Sequence, residues 1–388
     1  MIEIALYVTI LGSLVLLTWL ALKAWPALER AVLGGETNRK HALDGACGIL
    51  ACSVMIHHLL LRHLMELPLK DDGPLRAHPF VNQLGSASVA LFFMISAYLF
   101  GGRLFASRGR LDVASFAVGR VMRIVPLYLF VVALVACLCL ALQGFALTEP
   151  PIALAKEVGC NLLFNFTPIC PVNGVAGARE MLGPVWTLRY EWILYAEIPL
   201  MALLYRRLRW SVVLYVPLLA SVQLLHDGRF YFFVAGLACA QLAALPSVRL
   251  SRLWPLAGAA SLAILLARYY QSVSWKQALL LIPTLVAILQ GRRWFALLGV
   301  RPLRYLGEIS FSIYLLHMPV IVAFTALTGT RWRMIGPARM AADGLIIGLL
   351  VLVIGSMTFL TIEKPLMLVR WRRKVVTRGN GTGAPAPL

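Results

Sequence analysis

Ionisable side chains interrupt one long apolar run near the N-terminus of the chain. Residues His41 to Leu64 read HALDGACGILACSVMIHHLLLRHL, a run that is apolar and long enough to cross a bilayer. It nevertheless contains Asp44 and the histidine pair His57 and His58. Ionisable groups inside a membrane helix are costly and usually mark a functional site. A histidine at such a position can act as a general base near neutral pH.

The spacing of these residues predicts that one histidine of the pair belongs to a polar stripe. On a helix at about 100° per residue, Cys47 lies about 20° from His58, and Asp44 lies about 40° from it. His57 points about 100° away from His58, toward a different neighbour. His58 is therefore the histidine that we expect to share a helix face with Asp44 and Cys47.

A carboxylate on a second apolar segment is predicted to lie at the depth of His58. His58 is about six residues, roughly 9 Å, from one end of its helix, and Glu191 is about seven residues, roughly 10 Å, below the same surface. A carboxylate that meets an imidazole fixes its tautomer and stabilises its protonated form, as a general base requires. We therefore expect Glu191 to orient His58. A purely structural hydrogen bond, or an ion pair of Glu191 with Arg189, is the alternative.

The composition predicts an integral membrane protein. The 388 residues are 60% hydrophobic and only 14% charged, and the mean hydropathy is +0.80, too apolar for a protein with a water-facing surface. The formal net charge of +19 could suggest a nucleic-acid partner. The basic residues, however, stand in short clusters between apolar runs, as on the cytoplasmic face of a membrane protein. We therefore expect membrane lipid, and not nucleic acid, around the chain.

Apolar runs of membrane-spanning length give the expected topology. Eleven spans are predicted, at 2–25, 42–64, 83–101, 124–147, 184–205, 210–225, 229–246, 254–269, 276–290, 308–328 and 340–362. One alternate set of connecting segments holds 24 of the 36 basic residues, and the other set holds the remaining 12. By the positive-inside rule the first set is cytoplasmic, so the N-terminus is outside and the C-terminus inside.

The cysteines and the N-terminal run add further expectations. The seven cysteines form no disulfide framework and no metal-ligand spacing. Cys160 and Cys170 lie in the longest outer segment, where they form either a disulfide or two free thiols. The run 2–25 is too long for the core of a signal peptide and lacks a basic start, so it is predicted to be a retained helix.

Several ordered motifs resemble those of one family. LDGACGILACSVMIHH is similar to the first motif of the membrane-bound acyltransferase 3 family, in which LDGLR is followed ten residues later by histidine. The resemblance continues in the expected order through the segments ALFFMISAYLF at 90–100, FAVGRVMRIVPLY at 116–128, GPVWTLRYEWILYAEIPL at 183–200, LGEISFSIYLLHMPV at 306–320 and IEKP at 362–365.

The resemblance implies an all-α, polytopic transmembrane bundle of ten core helices. Residues 41–365 are then the acyltransferase domain, 1–40 add an N-terminal helix and linker, and 366–388 form a basic, disordered cytoplasmic tail. The implied activity is transfer of an acyl group, commonly acetyl from acetyl-CoA, to a hydroxyl of a sugar or lipid-linked glycan at the outer face. His58 matches the essential histidine of the family.

The resemblance also implies where the acyl donor binds. Asp44 and Cys47 mark the donor end of the first motif. Arg120 and Arg123, three residues apart in GRVMR, match the family's holders of the CoA phosphates, and arginine suits that geometry. The alternative for both arginines is anchoring at the cytoplasmic face. No permanently bound cofactor is expected, because acyl-CoA is a co-substrate.

One departure from the family pattern affects the donor end. Cys47 stands where the motif has arginine, and a thiol cannot bind phosphate as a guanidinium does. The donor can differ, the activity can be reduced or absent, or Cys47 can itself carry the acyl group as a thioester. A remaining reading is that a nearby basic residue supplies the missing charge: Arg39, Lys40, Arg120 or Arg123.

The resulting prediction is an O-acyltransferase of the cell inner membrane that acts on envelope polysaccharide and associates with the machinery that makes it. Two rivals remain. A proton-coupled transporter would also use intramembrane His, Asp and Glu, and a catalytically silent relative could bind glycan or act as an assembly partner. Of the other polar residues, Tyr314 and His317 are expected to make helix-packing contacts. Ser96 is expected to be a packing residue.

Overall fold

The computed structural model describes residues 1–34, 40–65, 78–267 and 273–367, and within these ranges it is an all-α bundle. The expected fold class is confirmed, since the described residues form no β-strand beyond an isolated bridge between Val172 and Val175. The α-helices are α1 (Ile2–Ala24), α2 (Pro26–Leu33), α3 (His41–Met65), α4 (Pro79–Ser107), α5 (Val113–Leu142), α6 (Pro151–Asn161), α7 (Gly177–Met181), α8 (Trp186–Leu208), α9 (Tyr215–Leu224), α10 (Phe230–Leu242), α11 (Pro246–Leu250), α12 (Trp254–Ala267), α13 (Trp275–Gln290), α14 (Arg301–Glu308), α15 (Ser310–Thr328) and α16 (Pro337–Thr358). Short 3₁₀ turns lie at Gly183–Val185, Ser211–Leu214, Arg293–Gly299 and Trp332–Met334, and a π-helical turn lies at Phe359–Glu363.

Six of the described helices are long and apolar enough to cross a membrane: α1, α3, α4, α5, α15 and α16. A seventh span results if α13 and the 3₁₀ turn that follows it, bent by 67°, are counted together. Each of the eleven predicted spans contains a helix. However, α9, α10 and α12 belong to shorter apolar helices of only 10–17 residues. A helix needs about 20 residues to cross the bilayer core. These shorter helices must therefore be surrounded by other protein segments and not by lipid alone.

Helix α5 begins much earlier than its apolar run. The run predicts a start at residue 124, whereas α5 starts at Val113. The Asp112 carboxylate caps this start, because it accepts a hydrogen bond of 3.0 Å from the Ser115 backbone N–H. Arg120 and Arg123 therefore lie within the helix and not in the loop before it. The predicted tail 366–388 lies outside the described residues from 368 onward.

Glycines allow some helices to approach backbone to backbone. A methyl group at Gly236 of α10 would lie 2.1 Å from the Met94 carbonyl oxygen of α4. A methyl group at Gly307 of α14 would lie 2.0 Å from the Asp44 carbonyl oxygen of α3. Only glycine fits at such distances. The start of α3 is thus held tightly against α14.

The N-terminal helix is packed into the bundle. On α1, Ile10 and Leu14 contact the α16 positions Gly344 and Gly348, where an added methyl group would meet their side chains at 2.7 and 2.8 Å. The Tyr7 hydroxyl forms a hydrogen bond of 2.9 Å with Ser53 of α3. The helix that the family resemblance marks as additional therefore packs against several helices of the core.

A disulfide stabilises the long segment between α5 and α8. Cys160 and Cys170 are bonded, with their Cα atoms 6.2 Å apart, so the structure selects the disulfide over two free thiols. Asn161 supports it by accepting a hydrogen bond of 2.9 Å from the Cys170 N–H, and the Tyr128 hydroxyl of α5 donates to the Asn161 carbonyl. We call this end of the bundle, which carries residues 148–183, the disulfide end. The end that carries the α4–α5 turn at residues 108–112 is the opposite end.

The disulfide predicts a simple thiol count. Protein unfolded without reductant should react with N-ethylmaleimide at the five free cysteines, and reduction should raise the number to seven. Mass spectrometry of the intact chain measures both values. A Cys160→Ser, Cys170→Ser double variant serves as control and should give five adducts in each case. Seven adducts on the unreduced wild-type chain would contradict the bond.

Candidate active site

His58 lies between the imidazole rings of two other histidines. Its ring is stacked on His317 of α15, with centroids 5.2 Å apart and planes 27° apart, and it meets the edge of His57 at 5.0 Å. His57 is bonded through Nδ1 to the Val81 carbonyl at 2.7 Å. Within the described ranges no protein group forms a hydrogen bond with His58, which is only half-buried. Its ring nitrogens therefore remain available to a substrate.

An ion pair covers the disulfide end of this site. Arg62, one turn after His58 on α3, pairs with Glu180 of α7 and lies 3.5 Å from the Thr325 hydroxyl. Helix α7 belongs to the disulfide-linked segment. The pair therefore anchors that segment one helical turn beyond His58.

Glu191 belongs to a different polar cluster. Its carboxylate accepts a hydrogen bond of 2.8 Å from the Ser96 hydroxyl of α4 and another from Tyr195, one turn further along α8. The Arg120 guanidinium lies 5.7 Å from the centre of the Tyr195 ring, and its charge acts on Glu191. Glu191 is thus partnered by two hydroxyls and a neighbouring cation.

The prediction that Glu191 orients His58 is wrong in this structure. The two side chains form neither a hydrogen bond nor an ion pair, and they lie at different depths. Along α4, Gly85 packs against the His57 ring, whereas Ser96 bonds Glu191. These positions are eleven residues apart, roughly 16 Å at 1.5 Å per residue. Glu191 is therefore closer to the opposite end of the bundle than the histidines are.

The depth of Glu191 differs from the prediction because of where α8 begins. The prediction assumed that the segment from Pro184 begins at the membrane surface. Instead, the Pro184 carbonyl accepts a hydrogen bond of 2.8 Å from Tyr314 of α15, and Thr187 lies 3.0 Å from the same hydroxyl. Tyr314 is 14 residues before the end of α15 at Thr328, roughly 21 Å along the helix. Helix α8 therefore begins inside the bundle.

Arg120 and Arg123 both lie near buried carboxylates. Arg120 faces the Glu191 cluster, and the charge of Arg123 acts on Glu363 in the π-helical turn. Glu363 is 1% exposed, and one of its oxygens accepts a hydrogen bond from Ser312. π-Helical turns are frequent at functional sites. Both arginines therefore lie close enough to a buried carboxylate for their charge to act on it.

The region around Cys47 departs from the family motif. Cys47 is half-buried and packs against the apolar core. Of the basic residues that could replace the motif's arginine, Lys40 donates a hydrogen bond of 2.6 Å to the Tyr98 hydroxyl. Arg120 is directed toward Phe100 and Tyr195. Arg39 lies outside the described residues.

A cleft of about 220 Å³ opens at the opposite end, between α4, α5 and α8. It is lined by Phe100, Arg103, Leu104, Ser107, Arg110, Leu111, Asp112, Ser115, Phe116 and Ile198. Arg120 lies 5.2 Å from the centre of the Phe100 ring. Phe100 therefore lines the cleft and also contacts Arg120, whose charge acts on Glu191.

These features define a polytopic membrane protein whose helical bundle holds three neighbouring imidazole rings. Residues 40–361 match the acyltransferase 3 family, described as an acyltransferase domain. The chain therefore belongs to that family of membrane acyltransferases. No curated protein matches the chain, and no solved structure matches it.

The structure gives two polar residues more specific partners than the sequence predicts. Ser96, predicted to be a packing residue, bonds the Glu191 carboxylate. His317, predicted to make a helix-packing contact, does so by stacking on His58 of another helix. The sequence does contain one indication that His317 belongs to the site. It lies in an apolar segment, and an ionisable residue inside a membrane helix is a candidate site residue.

The Glu191 cluster predicts a difference between two substitutions. Glu191→Ala removes the acceptor of two hydrogen bonds and a counter-charge of Arg120, and should lower the free energy of unfolding by about 1–3 kcal/mol. Glu191→Gln keeps a carbonyl acceptor and should lower it less. Thermal unfolding in detergent, followed by size-exclusion chromatography, gives the comparison. A Glu191→Ala protein as stable as the wild type would show that the cluster does not stabilise the fold.

Proposed function

We propose that the protein is an O-acyltransferase that moves an acyl group, acetyl in the simplest case, from acyl-CoA to a hydroxyl of an extracytoplasmic or lipid-linked glycan. The observation that carries the proposal is the unbonded imidazole of His58 inside the bundle of a chain that belongs to an acyltransferase family. A general base must be free to bind the proton that it removes.

The proposed reaction needs one base and no covalent enzyme intermediate. His58 accepts the proton of the acceptor hydroxyl as the oxygen attacks the thioester carbonyl carbon. The C–O bond forms, the C–S bond breaks, and the CoA thiolate leaves. The thiolate then takes the proton from His58, which returns the imidazole to its neutral form. Cys47 is not required as an acyl carrier in this scheme.

The acyl donor is proposed to approach from the opposite end. Its phosphates suit the cleft that Arg103 and Arg110 line, because arginine binds phosphate through paired N–H groups. The cleft volume is smaller than that of typical ligand pockets, so only part of the nucleotide would be enclosed. Arg120 and Arg123, with Asp44 and Cys47 at the start of α3, lie further along the proposed path.

Glu191 has a revised place in this proposal. It bonds Ser96 and Tyr195, so we assign it to the donor side of the path and not to the orientation of His58. There it can hold Arg120 in position beside the acyl-CoA arm. The orientation of His58 would then come from the neighbouring rings of His57 and His317.

The proposed topology places the opposite end in the cytoplasm. Acyl-CoA is cytoplasmic, 24 of the 36 basic residues belong to the same side, and disulfides form in oxidising compartments, which suits an external disulfide end. Glu3 lies 3.3 Å from His78 at the start of α4, which favours an external N-terminus and hence an internal C-terminus. A cell inner membrane and a partner that makes envelope polysaccharide complete the proposal.

Cys47 supports a second candidate function. If the arginine of the family motif is needed for donor binding, this chain is a silent relative that binds glycan or assists assembly. Activity that appears only in a Cys47→Arg variant would support this candidate.

Substitution of His58 tests the main proposal. His58→Ala should lower transfer from radiolabelled acetyl-CoA to membrane glycan by about 100-fold or more, the range for loss of a general base. His63→Asn is the control, since His63 lies on the same helix and bonds the Trp332 carbonyl through Nδ1. A normally expressed His58→Ala protein with full transfer activity would refute the assignment. Mass spectrometry of envelope glycans with and without the protein would identify the acceptor.

The donor cleft gives a separate expectation. A double Arg103→Gln, Arg110→Gln variant should raise KM for acetyl-CoA by about tenfold, because charge-assisted hydrogen bonds to phosphate are lost. The effect should shrink as salt is added. Arg207→Gln, an exposed change at the end of α8 that does not line the cleft, should leave KM unchanged. An unchanged KM in the double variant would exclude the cleft as the phosphate site.

A further inference from the structure

The backbone fixes the hydrogen of His317 on one ring nitrogen. Its Nδ1 lies 3.2 Å from the Ile313 carbonyl oxygen. A carbonyl can only accept, so Nδ1 carries the hydrogen, and Nε2 of the neutral ring is then an acceptor with a free lone pair. The side chain is completely buried, and Nε2 has no hydrogen-bond partner among the described residues. A buried polar atom without a partner is unfavourable unless something else satisfies it.

Neither neighbour of His317 satisfies this nitrogen. The His58 ring is stacked on it with planes 27° apart, and imidazole nitrogens form hydrogen bonds in the plane of the ring, not through its face. The Tyr314 hydroxyl donates instead to the Pro184 carbonyl, at 2.8 Å. The Nε2 acceptor of His317 therefore lies next to the reacting histidine and lacks a donor.

We propose that His317 binds the acceptor molecule, with Nε2 accepting a hydrogen bond from a second hydroxyl beside the one that His58 deprotonates. This inference rests on the proposed role of His58. A single hydroxyl has one hydrogen, which cannot be given to both rings, so two acceptor rings side by side suit a ligand with two neighbouring hydroxyls. His317 gains and loses no proton during transfer. The acceptor is thus a polyol, such as a sugar unit, and not a simple alcohol.

Two amide substitutions separate this role from a packing role. In His317→Gln the side-chain amide reaches the position of Nε2 and can still accept a hydrogen bond. In His317→Asn the amide reaches only the position of Nδ1, so the bond to Ile313 is kept and the acceptor beside His58 is lost. His63→Asn is the control, because His63 is also bonded through Nδ1 to a backbone carbonyl and has no place in the proposed site. Size-exclusion chromatography verifies that each variant is folded.

The probes are cis-1,2-cyclohexanediol and cyclohexanol, which differ by one neighbouring hydroxyl. Acetylation of each from radiolabelled acetyl-CoA is measured as kcat/KM with purified full-length protein. The wild type and His63→Asn should prefer the diol by about tenfold, the effect of one hydrogen bond. His317→Gln should keep most of that preference, and His317→Asn should lose it. Loss of packing alone would lower both rates together and leave their ratio unchanged.

The outcomes distinguish this inference from the proposed function. A wild type that acetylates both probes equally, or an unchanged diol preference in His317→Asn, overturns the role of His317 and leaves His58 as the base. A wild type that acetylates neither the probes nor membrane glycan overturns both. Loss of the diol preference in His317→Gln as complete as in His317→Asn also overturns the hydrogen-bond role.

Discussion

The cost of an uncompensated charge in an apolar bundle constrains this structure more than any other factor. Helix α5 carries Arg120 and Arg123 into the bundle, and each acts on a carboxylate of another element. Glu191 connects Arg120 to α4 and α8. Glu363 connects Arg123 to α15 and the π-helical turn. Electrostatic attraction between these groups therefore favours this arrangement of helices at the opposite end, where apolar packing alone is not directional.

Polar groups near the disulfide end follow a different pattern. The structural contacts there include the ion pair of Arg62 with Glu180 and the hydrogen bond from Tyr314 to the Pro184 carbonyl. Among the described residues no hydrogen bond reaches the His58 ring, and the Nε2 atom of His317 has no partner there either. Since protein interiors normally satisfy their polar groups, the exceptions deserve a functional explanation. Two imidazoles left unsatisfied side by side fit a site that completes its hydrogen bonds with a ligand.

The sequence predicted the parts of this arrangement that depend on local pattern. Apolar runs located the helices, and the polar stripe on α3 singled out His58. The sequence could not decide between a disulfide and free thiols at Cys160 and Cys170, because pairing depends on how the chain folds back. It also could not predict the depth of Glu191, since nothing in the run from Pro184 reveals that α8 starts inside the bundle. The stability of the short helices likewise depends on packing against neighbouring helices, and a hydropathy profile contains no information about that packing.

The buried start of α8 also bears on how the protein can diversify. Tyr314 holds Pro184 and Thr187 at a fixed level, so the register of Glu191 against Ser96 is set after the disulfide-linked segment has ended. Insertions or deletions within residues 148–183 can then be absorbed before that point, without displacing the interior polar cluster. Such a separation lets the disulfide-linked segment vary in length and sequence while the interior polar cluster stays unchanged. If the proposed function holds, new acceptor preferences can arise in this scaffold by loop replacement alone.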